Sequence, residues 1–327
     1  MDNNDTLLCV ENLEVTFALR AGSFQAVKGV SFRLGKGERL GLVGESGAGK
    51  SITGFSIINL ISPPGRISGG RIMFEGRDLS KLAPEQMRSI RGDRVAMIFQ
   101  DPMMTLNPVL TVGQQMVETV KAHRKVSTRQ AREIAVEKLA KVHISSPERR
   151  LTQYPHEFSG GMRQRIVIAI SLLSDPALII ADEPSTALDV TIQAEIMELL
   201  LELCRNERMG LILISHDLGV VSQVTERMAI MYAGSIVEMG PTERIIANPR
   251  HPYTRGLLAA LPGNQARRGR LNQIPGVMPG LANIPTGCAF HPRCQEVLDI
   301  CRVSAPCLRG LDGVDVACHA CGKEERP

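Results

Sequence analysis

The sequence predicts an α/β fold organised around a phosphate-binding loop, with an antiparallel β subdomain before it, a helical subdomain after it and an irregular, Cys-rich C-terminal extension. Three observations predict this. The apolar run Leu40-Gly41-Leu42-Val43 leads into Gly44-Glu45-Ser46-Gly47-Ala48-Gly49-Lys50-Ser51, which fits G-x-x-x-x-G-K-[ST] between a strand and a helix. Further short apolar runs at 95–99, 177–181 and 211–214 alternate with helical patterns, as in a parallel sheet with crossover helices. Six of the eight cysteines fall between Cys288 and Cys321.

The loop's chemistry is anion binding. Its glycines let the backbone curl until successive N–H groups face one anion, and the helix opening near Lys50 adds the positive end of its dipole. Lys50 would reach the β- and γ-phosphates of a nucleoside triphosphate, and the Ser51 hydroxyl would help hold Mg²⁺.

Length and composition bound the remaining possibilities. A chain of 327 residues, 43% hydrophobic and 22% charged, is that of an ordinary globular protein with roughly one to three domains. A net charge of +4, from 38 basic and 34 acidic residues, is too mild to argue for nucleic acid. The absence of Trp and 3% aromatic content leave little for base stacking. The N-terminal residues are acidic and polar, and no run approaches the about 18 apolar residues that span a bilayer, so a cytoplasmic location is expected. In that reducing compartment a cysteine cluster reads as metal before disulfide.

The elements follow in order. Residues 7–15 and 26–34 alternate apolar and polar around a turn near Ala21-Gly22-Ser23, which predicts an antiparallel edge sheet. Phe17 or Phe24 on that sheet either stacks on a nucleotide base or packs in the core. Residues 69–79 read as another hairpin. The buried strand at 95–99 is followed by Gln100, at the carboxyl edge where open α/β sheets bind ligands; it either coordinates Mg²⁺, orients water or ends the strand. Residues 103–170 read as mainly helical. Ser127 and Gln130 have capping-box spacing, and Ala131, Ile134, Ala135, Leu139 and Val142 recur with helical period, their basic neighbours forming a solvated face.

Ser159-Gly160-Gly161 opens an apolar helix over 166–173 and offers either an anion-binding N-terminus or a simple N-cap. The strand at 177–181 ends in Asp182-Glu183. A carboxylate there can hold Mg²⁺ and its neighbour can polarise the attacking water, so Asp182 is assigned to the metal and Glu183 to the water. Residues 186–189 form a turn into an amphipathic helix over 190–203. The strand at 211–214 ends at Ser215-His216-Asp217, where His216 either contacts a γ-phosphate or is a structural hydrogen-bonding residue. Residues 227–232 and 235–239 make a closing hairpin.

Residues 7–245 resemble the nucleotide-binding subunits of ATP-binding cassette (ABC) transporters, because the phosphate loop, Gln100, Ser159-Gly160-Gly161, Asp182-Glu183, Asp189 and His216 stand in that family's order. The resemblance implies a P-loop NTPase core with a helical subdomain near 103–170, and hydrolysis of ATP with Mg²⁺. It implies that Phe17 stacks on adenine, with Phe24 as the alternative, and that Gln100 senses Mg-ATP and contacts a membrane subunit. Asp189 would couple two sites and His216 would act as the γ-phosphate switch. Met162 stands where the family's signature usually has Gln. Only one set of motifs is present, so the resemblance implies a second ATPase subunit, a paralogue or a copy, closing over the bound nucleotide.

Residues 246–327 narrow the resemblance to importer ATPases for dipeptides and oligopeptides, through Pro249-Arg-His-Pro-Tyr-Thr254 and a Pro/Gly-rich segment to Pro285. This implies two transmembrane permease subunits, an extracytoplasmic solute-binding protein acting indirectly, and a peripheral position on the cytoplasmic face of the inner membrane. Nickel or another solute is the alternative cargo, and a soluble cassette ATPase acting on nucleic acid or ribosomes the alternative class. Cys288, Cys294, Cys301 and Cys318 are expected to gather; four thiolates at one point require a neutralising metal, an iron–sulfur cluster or structural zinc. The resemblance favours a [4Fe-4S] cluster, with unligated thiols or a disulfide as the remaining possibility. Cys9 and Cys204 read as isolated hydrophobes.

Overall fold

The computed structural model describes residues 5–185, 188–261 and 274–321. Thr186 and Ala187 of the predicted turn, and part of the Pro/Gly-rich segment before Pro285, lie outside the described residues. The chain opens with the long strands β1 (Thr6–Leu19) and β2 (Gly22–Gly35), then β3 (Arg39–Val43) and α1 (Lys50–Ile57). It continues through β4 (Gly65–Phe74), β5 (Arg77–Asp78), α2 (Pro84–Ile90) and β6 (Val95–Ile98). The helical stretch comprises α3 (Pro102–Thr105), α4 (Val112–His123), α5 (Thr128–Lys141), α6 (Pro147–Arg150) and α7 (Gly160–Ser171). Then come β7 (Leu178–Asp182), α8 (Val190–Glu207), β8 (Gly210–Ser215), α9 (Leu218–Val224), β9 (Arg227–Tyr232) and β10 (Ser235–Pro241). The last described elements are α10 (Thr242–Ala247), α11 (Pro252–Ala259), α12 (Ile300–Val303), β11 (Arg309–Leu311) and β12 (Val314–Val316). None of the described helices is long and apolar enough to cross a membrane.

Two units divide the chain. The first holds residues up to 34, 39–80 and those from 213 onward; the second holds 35–38 and 81–212, so β8 passes from the second unit into the first. In the first unit, one antiparallel sheet has the order β2-β1-β4-β5, with Leu8 opposite Phe74 and Phe17 opposite Gly65. Its buried residues Leu8 and Val10, then Leu13 and Val15, each keep period two, and the phase slips by one residue between the two pairs at an irregularity in the β1–β4 pairing near Asn12 (φ 48°). In the unit's other sheet, β3 runs parallel to β9 with Val43 beside Ile230, and both strands are almost continuously buried, as an apolar run without alternation requires.

The extension is not irregular throughout. β12 pairs antiparallel with β10, Glu238 opposite Val316, and β11 adds to β12, so residues 309–316 extend the same sheet. Three-residue strands are too short for alternation to show in sequence. Helix α11 begins behind the buried His251, whose Nδ1 accepts the Tyr253 N–H at 3.0 Å. The fully buried carboxylate of Glu238 accepts the N–H groups of Arg250 (2.7 Å) and His251 (3.0 Å), satisfying donors just before that helix.

In the second unit, β6 and β7 are parallel, Val95 beside Leu178 through Ile98 beside Ala181. Thr111 with Gln114 and Ser127 with Gln130 form reciprocal capping boxes that fix where α4 and α5 begin. One expectation fails here: Lys138 of α5 does not join the solvated face. It is 4% exposed and its ammonium is paired with Asp175. Helical period assigns a face, and a long stem can fold under its own helix to meet a carboxylate beyond it.

Candidate active site

In the first unit, β3 delivers the chain into the loop, and two positive-φ glycines, Gly47 (φ 82°) and Gly49 (φ 100°), make the curl that ends in α1. At Gly49 a Cβ would lie 2.9 Å from the Ala26 carbonyl oxygen, so a side chain is excluded by space as well as by torsion. Lys50 is 4% exposed, and its Nζ donates to the carbonyls of Gly44 (2.8 Å) and Glu45 (3.1 Å). The ammonium thus sits inside the loop, beside the N-terminal amides of α1, which has no side-chain cap. Backbone donors at a helix start with a buried cation among them suit a polyphosphate. Ser51 follows at the second position of α1, and Ser46 and Gly47 are exposed while Ala48 is buried.

In the second unit, the register Ile98 beside Ala181 brings the carboxyl ends of β6 and β7 level, so Gln100 and Glu183, each two residues further on, come together. Gln100 Nε2 donates to Glu183 Oε2 at 3.4 Å. Asp182 closes β7 at 4% exposure. Glu183 has φ 46°, a left-handed conformation that a non-glycine residue rarely holds and that turns the chain sharply after the strand.

Ser159 and Asp189 are both N-caps. Ser159 accepts the Met162 N–H (3.4 Å) at the start of α7, and Asp189 accepts the Ile192 N–H (3.0 Å) at the start of α8. The two helix starts are neighbours. A Cβ on Gly160 would lie 3.3 Å from Leu188 Cδ2, and one on Gly161 would lie 2.7 Å from Ile192 Cγ2. Gly161 is therefore demanded by close packing of α7 on α8, whatever else it does. In the first unit, His216 is exposed just beyond β8, and Asp217 caps α9 through the Val220 N–H. Phe17 and Phe24 are both half-buried. The Phe17 ring lies against Gly65, where a Cβ would be 2.6 Å away, so core packing occupies part of that ring.

Two residues escaped the sequence reading of the loop. Both carboxylate oxygens of Glu45 receive the guanidinium of Arg293, at 2.6 Å and 2.9 Å, and the Glu45 N–H donates to the Tyr253 hydroxyl at 2.9 Å. Tyr253 is fully buried against Tyr232 and Phe290, and its phenol is pushed up by burial, so it is neutral. An arginine and a tyrosine more than two hundred residues from the loop carry no local signal of this contact.

The cysteines behave differently from expectation. Burial raises the Cys288 thiol, and the nearby Cys301, Cys318 and Cys294 raise it further, so the four do share a neighbourhood. Cys318, however, is held below the usual thiol range chiefly by its neighbour Cys321, a residue outside the expected set. Among the described residues no group of three or more His, Cys, Asp or Glu side chains is placed to hold a metal ion. Four neighbouring thiols have the chemistry of a soft-metal site. Cys204 is buried as expected and Cys9 half-buried.

A phosphate loop on one strand end, an Asp-Glu pair on another and a capped Ser-Gly-Gly helix start define an ATP-binding cassette, and the chain belongs to the ABC transporter ATPase family. The family described as ABC transporter matches residues 27–186, and that described as oligopeptide/dipeptide transporter, C-terminal region, matches residues 237–301. The chain is 50% identical over 298 residues to the dipeptide transport ATP-binding protein DppD of Bacillus subtilis, covering 91% of this chain and 89% of that one. It is 46% identical over 314 residues to DppD of Escherichia coli K12, covering 96% of each. Among solved structures, the dimeric ATP-binding cassette MJ0796 bound to ADP and Pi matches with a TM-score of 0.65 at 25% identity, covering 72% of this chain and 99% of that one.

Proposed function

We propose that this chain is the ATP-hydrolysing subunit of an importer for di- and oligopeptides, peripheral to the cytoplasmic face of the membrane. It would work with a second ATPase subunit, two transmembrane permease subunits and, indirectly, an extracytoplasmic solute-binding protein. The observation that carries the catalytic part is the pairing of Gln100 with Glu183 at the level ends of two parallel strands, next to the buried Asp182. Gly44 to Ser51 bind the triphosphate through main-chain amides and the Lys50 ammonium, and Glu183 polarises the attacking water while Gln100 holds its carboxylate in place. The oxygen donors of Ser51, Gln100 and Asp182 suit Mg²⁺, which supplies neutralisation of charge on the phosphates when bound. Ser159, Gly160, Gly161 and Asp189 serve the nucleotide of the partner ATPase, His216 senses the γ-phosphate and Phe17 contacts adenine. The names of the relatives, and the match of residues 237–301, support a peptide cargo. The exposed Met103, Met104 and Val109, close behind Gln100 in sequence, offer apolar surface to a membrane subunit.

Glu183→Gln tests the reading: MgATP binding persists and hydrolysis falls at least about a hundredfold. Hydrolysis at the wild-type rate refutes it. Reconstituted with its membrane subunits, the ATPase is stimulated by peptides and not by nickel. The finer part of the proposal is a [4Fe-4S] cluster, or zinc, at Cys288, Cys294, Cys301 and Cys318. Its support is the gathering of four thiols, and no catalytic step depends on it. Anaerobic protein with broad visible absorption and stoichiometric iron and sulfide bears it out; a colourless, metal-free sample removes it.

A further inference from the structure

The C-terminal extension grips the phosphate loop at Glu45. Glu45 follows Gly44, and a carboxylate in an anion-binding loop repels the phosphates it surrounds. Arg293 meets that carboxylate with both terminal nitrogens, a bidentate pair of 2.6 Å and 2.9 Å whose arginine side chain is 5% exposed. The guanidinium is itself fixed: Nε donates to the Pro275 carbonyl (2.8 Å), and one terminal nitrogen to that of Gly276 (3.4 Å). It lies over the rings of Tyr232 (5.8 Å) and Phe290 (6.0 Å).

The same residue is held from its main chain, through the Tyr253 hydroxyl, and Tyr253 is locked edge-on to Tyr232 with centroids 4.8 Å apart. Glu45 also has a second link, because its carbonyl accepts from the Lys50 ammonium. Positions pass along this series: the extension fixes Arg293 and Tyr253, these fix Glu45, and Glu45 with Gly44 fixes Lys50. Met278 reaches the outer side of the loop as well, its methyl 3.6 Å from where a Gly47 side chain would begin.

We propose that Arg293 and Tyr253 are positioning residues for triphosphate binding, neutralising and holding Glu45 so that the loop presents Lys50 and its amides to the phosphates. The proposal rests on the phosphate-binding reading of residues 44–51. It makes Tyr253 and Arg293 part of the nucleotide site, and any displacement of either a change in ATP affinity.

The test uses the full-length chain, with MgATP binding measured by a fluorescent ATP analogue and steady-state ATPase measured in parallel. Arg293→Gln leaves the Glu45 carboxylate uncompensated beside the phosphates; Kd and KM for ATP rise about tenfold, with a smaller change in kcat. Adding Glu45→Gln to Arg293→Gln removes that carboxylate and restores most of the affinity, a recovery that loss of scaffolding alone does not give. Tyr253→Phe weakens ATP binding about threefold by stripping the acceptor from the Glu45 N–H. A folded Arg293→Gln variant, judged by circular dichroism, that binds ATP as wild type does overturns the proposal, and so does a double variant no better than the single one. Should Arg293→Gln not fold, unchanged KM in folded Tyr253→Phe overturns it instead. Lys50→Ala separates the two levels: if ATP binding survives it, the loop reading falls and the proposal with it. If Lys50→Ala abolishes binding while Arg293→Gln leaves it intact, the proposal alone falls.

Discussion

Replacing Gly161 by alanine separates packing from ligand contact at the start of α7. The added methyl would lie 2.7 Å from Ile192 Cγ2, against ordinary contacts of about 3.5–4.0 Å, so α7 and α8 must part or Ile192 must leave its rotamer. Overpacking of this kind costs about 1–3 kcal/mol. Ile192→Ala on the same background removes Cγ2 and leaves Cβ at 3.9 Å, an ordinary contact. Urea unfolding of Gly161→Ala should therefore show a lower midpoint at unchanged slope, and the double variant should regain stability relative to the sum of the single ones. ATPase measured on the same samples then reports what Gly161 contributes beyond packing. Additive stabilities in the double-mutant cycle would refute the steric reasoning.

Two further predictions concern stability. Burial, and secondarily the nearby Arg255, lowers His251 from the usual 6.5 to about 3, so it is neutral in the folded chain while the unfolded chain takes up a proton below 6.5. Folding stability therefore declines as pH falls from about 6.5 towards 3, by about 2 kcal/mol at pH 5 from this group. Denaturant titrations across that range should show a shallower pH dependence for His251→Gln. Lys138 and Asp175 form an asymmetric pair, the lysine side chain 5% exposed and the aspartate 54%. Asp175→Ala leaves a buried ammonium with only the longer 3.8 Å pair to Glu137 and costs about 3 kcal/mol, whereas Lys138→Met leaves a carboxylate that water and Arg124 still stabilise and costs about 1 kcal/mol or less. Equal losses in urea unfolding would contradict that asymmetry.

Much of the site was legible because its parts are local. Gly44 to Ser51 lie on consecutive residues between an apolar run and a helix, and the strand-end Asp182-Glu183 needs only an apolar run before it. The Ser127–Gln130 capping box was legible for the same reason. The pairing of Gln100 with Glu183 depends on strand register, which no run of residues states. The second demand on Gly161 comes from α8, thirty-one residues on, and a glycine reads alike whether a ligand or a side chain needs the space. Lys138 was misplaced because periodicity reports the direction of Cβ and not the course of a four-carbon stem. Arg293 and Tyr253 were missed altogether, since an arginine in a loop and a tyrosine at a helix start carry no mark of a partner more than two hundred residues away. The cysteine spacing suggested a shared ligand, and the structure gave Cys318 a thiol neighbour from outside the suggested four.

The strand β12 has a consequence for how the gene can be cut. A polypeptide stopped at residue 245 would look like a tidy cassette, yet it would bare the flank of β10, whose Glu238 is paired with Val316 across that edge. It would also strip the amides of Arg250 and His251 from a carboxylate with no access to water. An open edge beside a stranded charge is a template for intermolecular pairing, so such a shortened protein should be recovered from cells as aggregate.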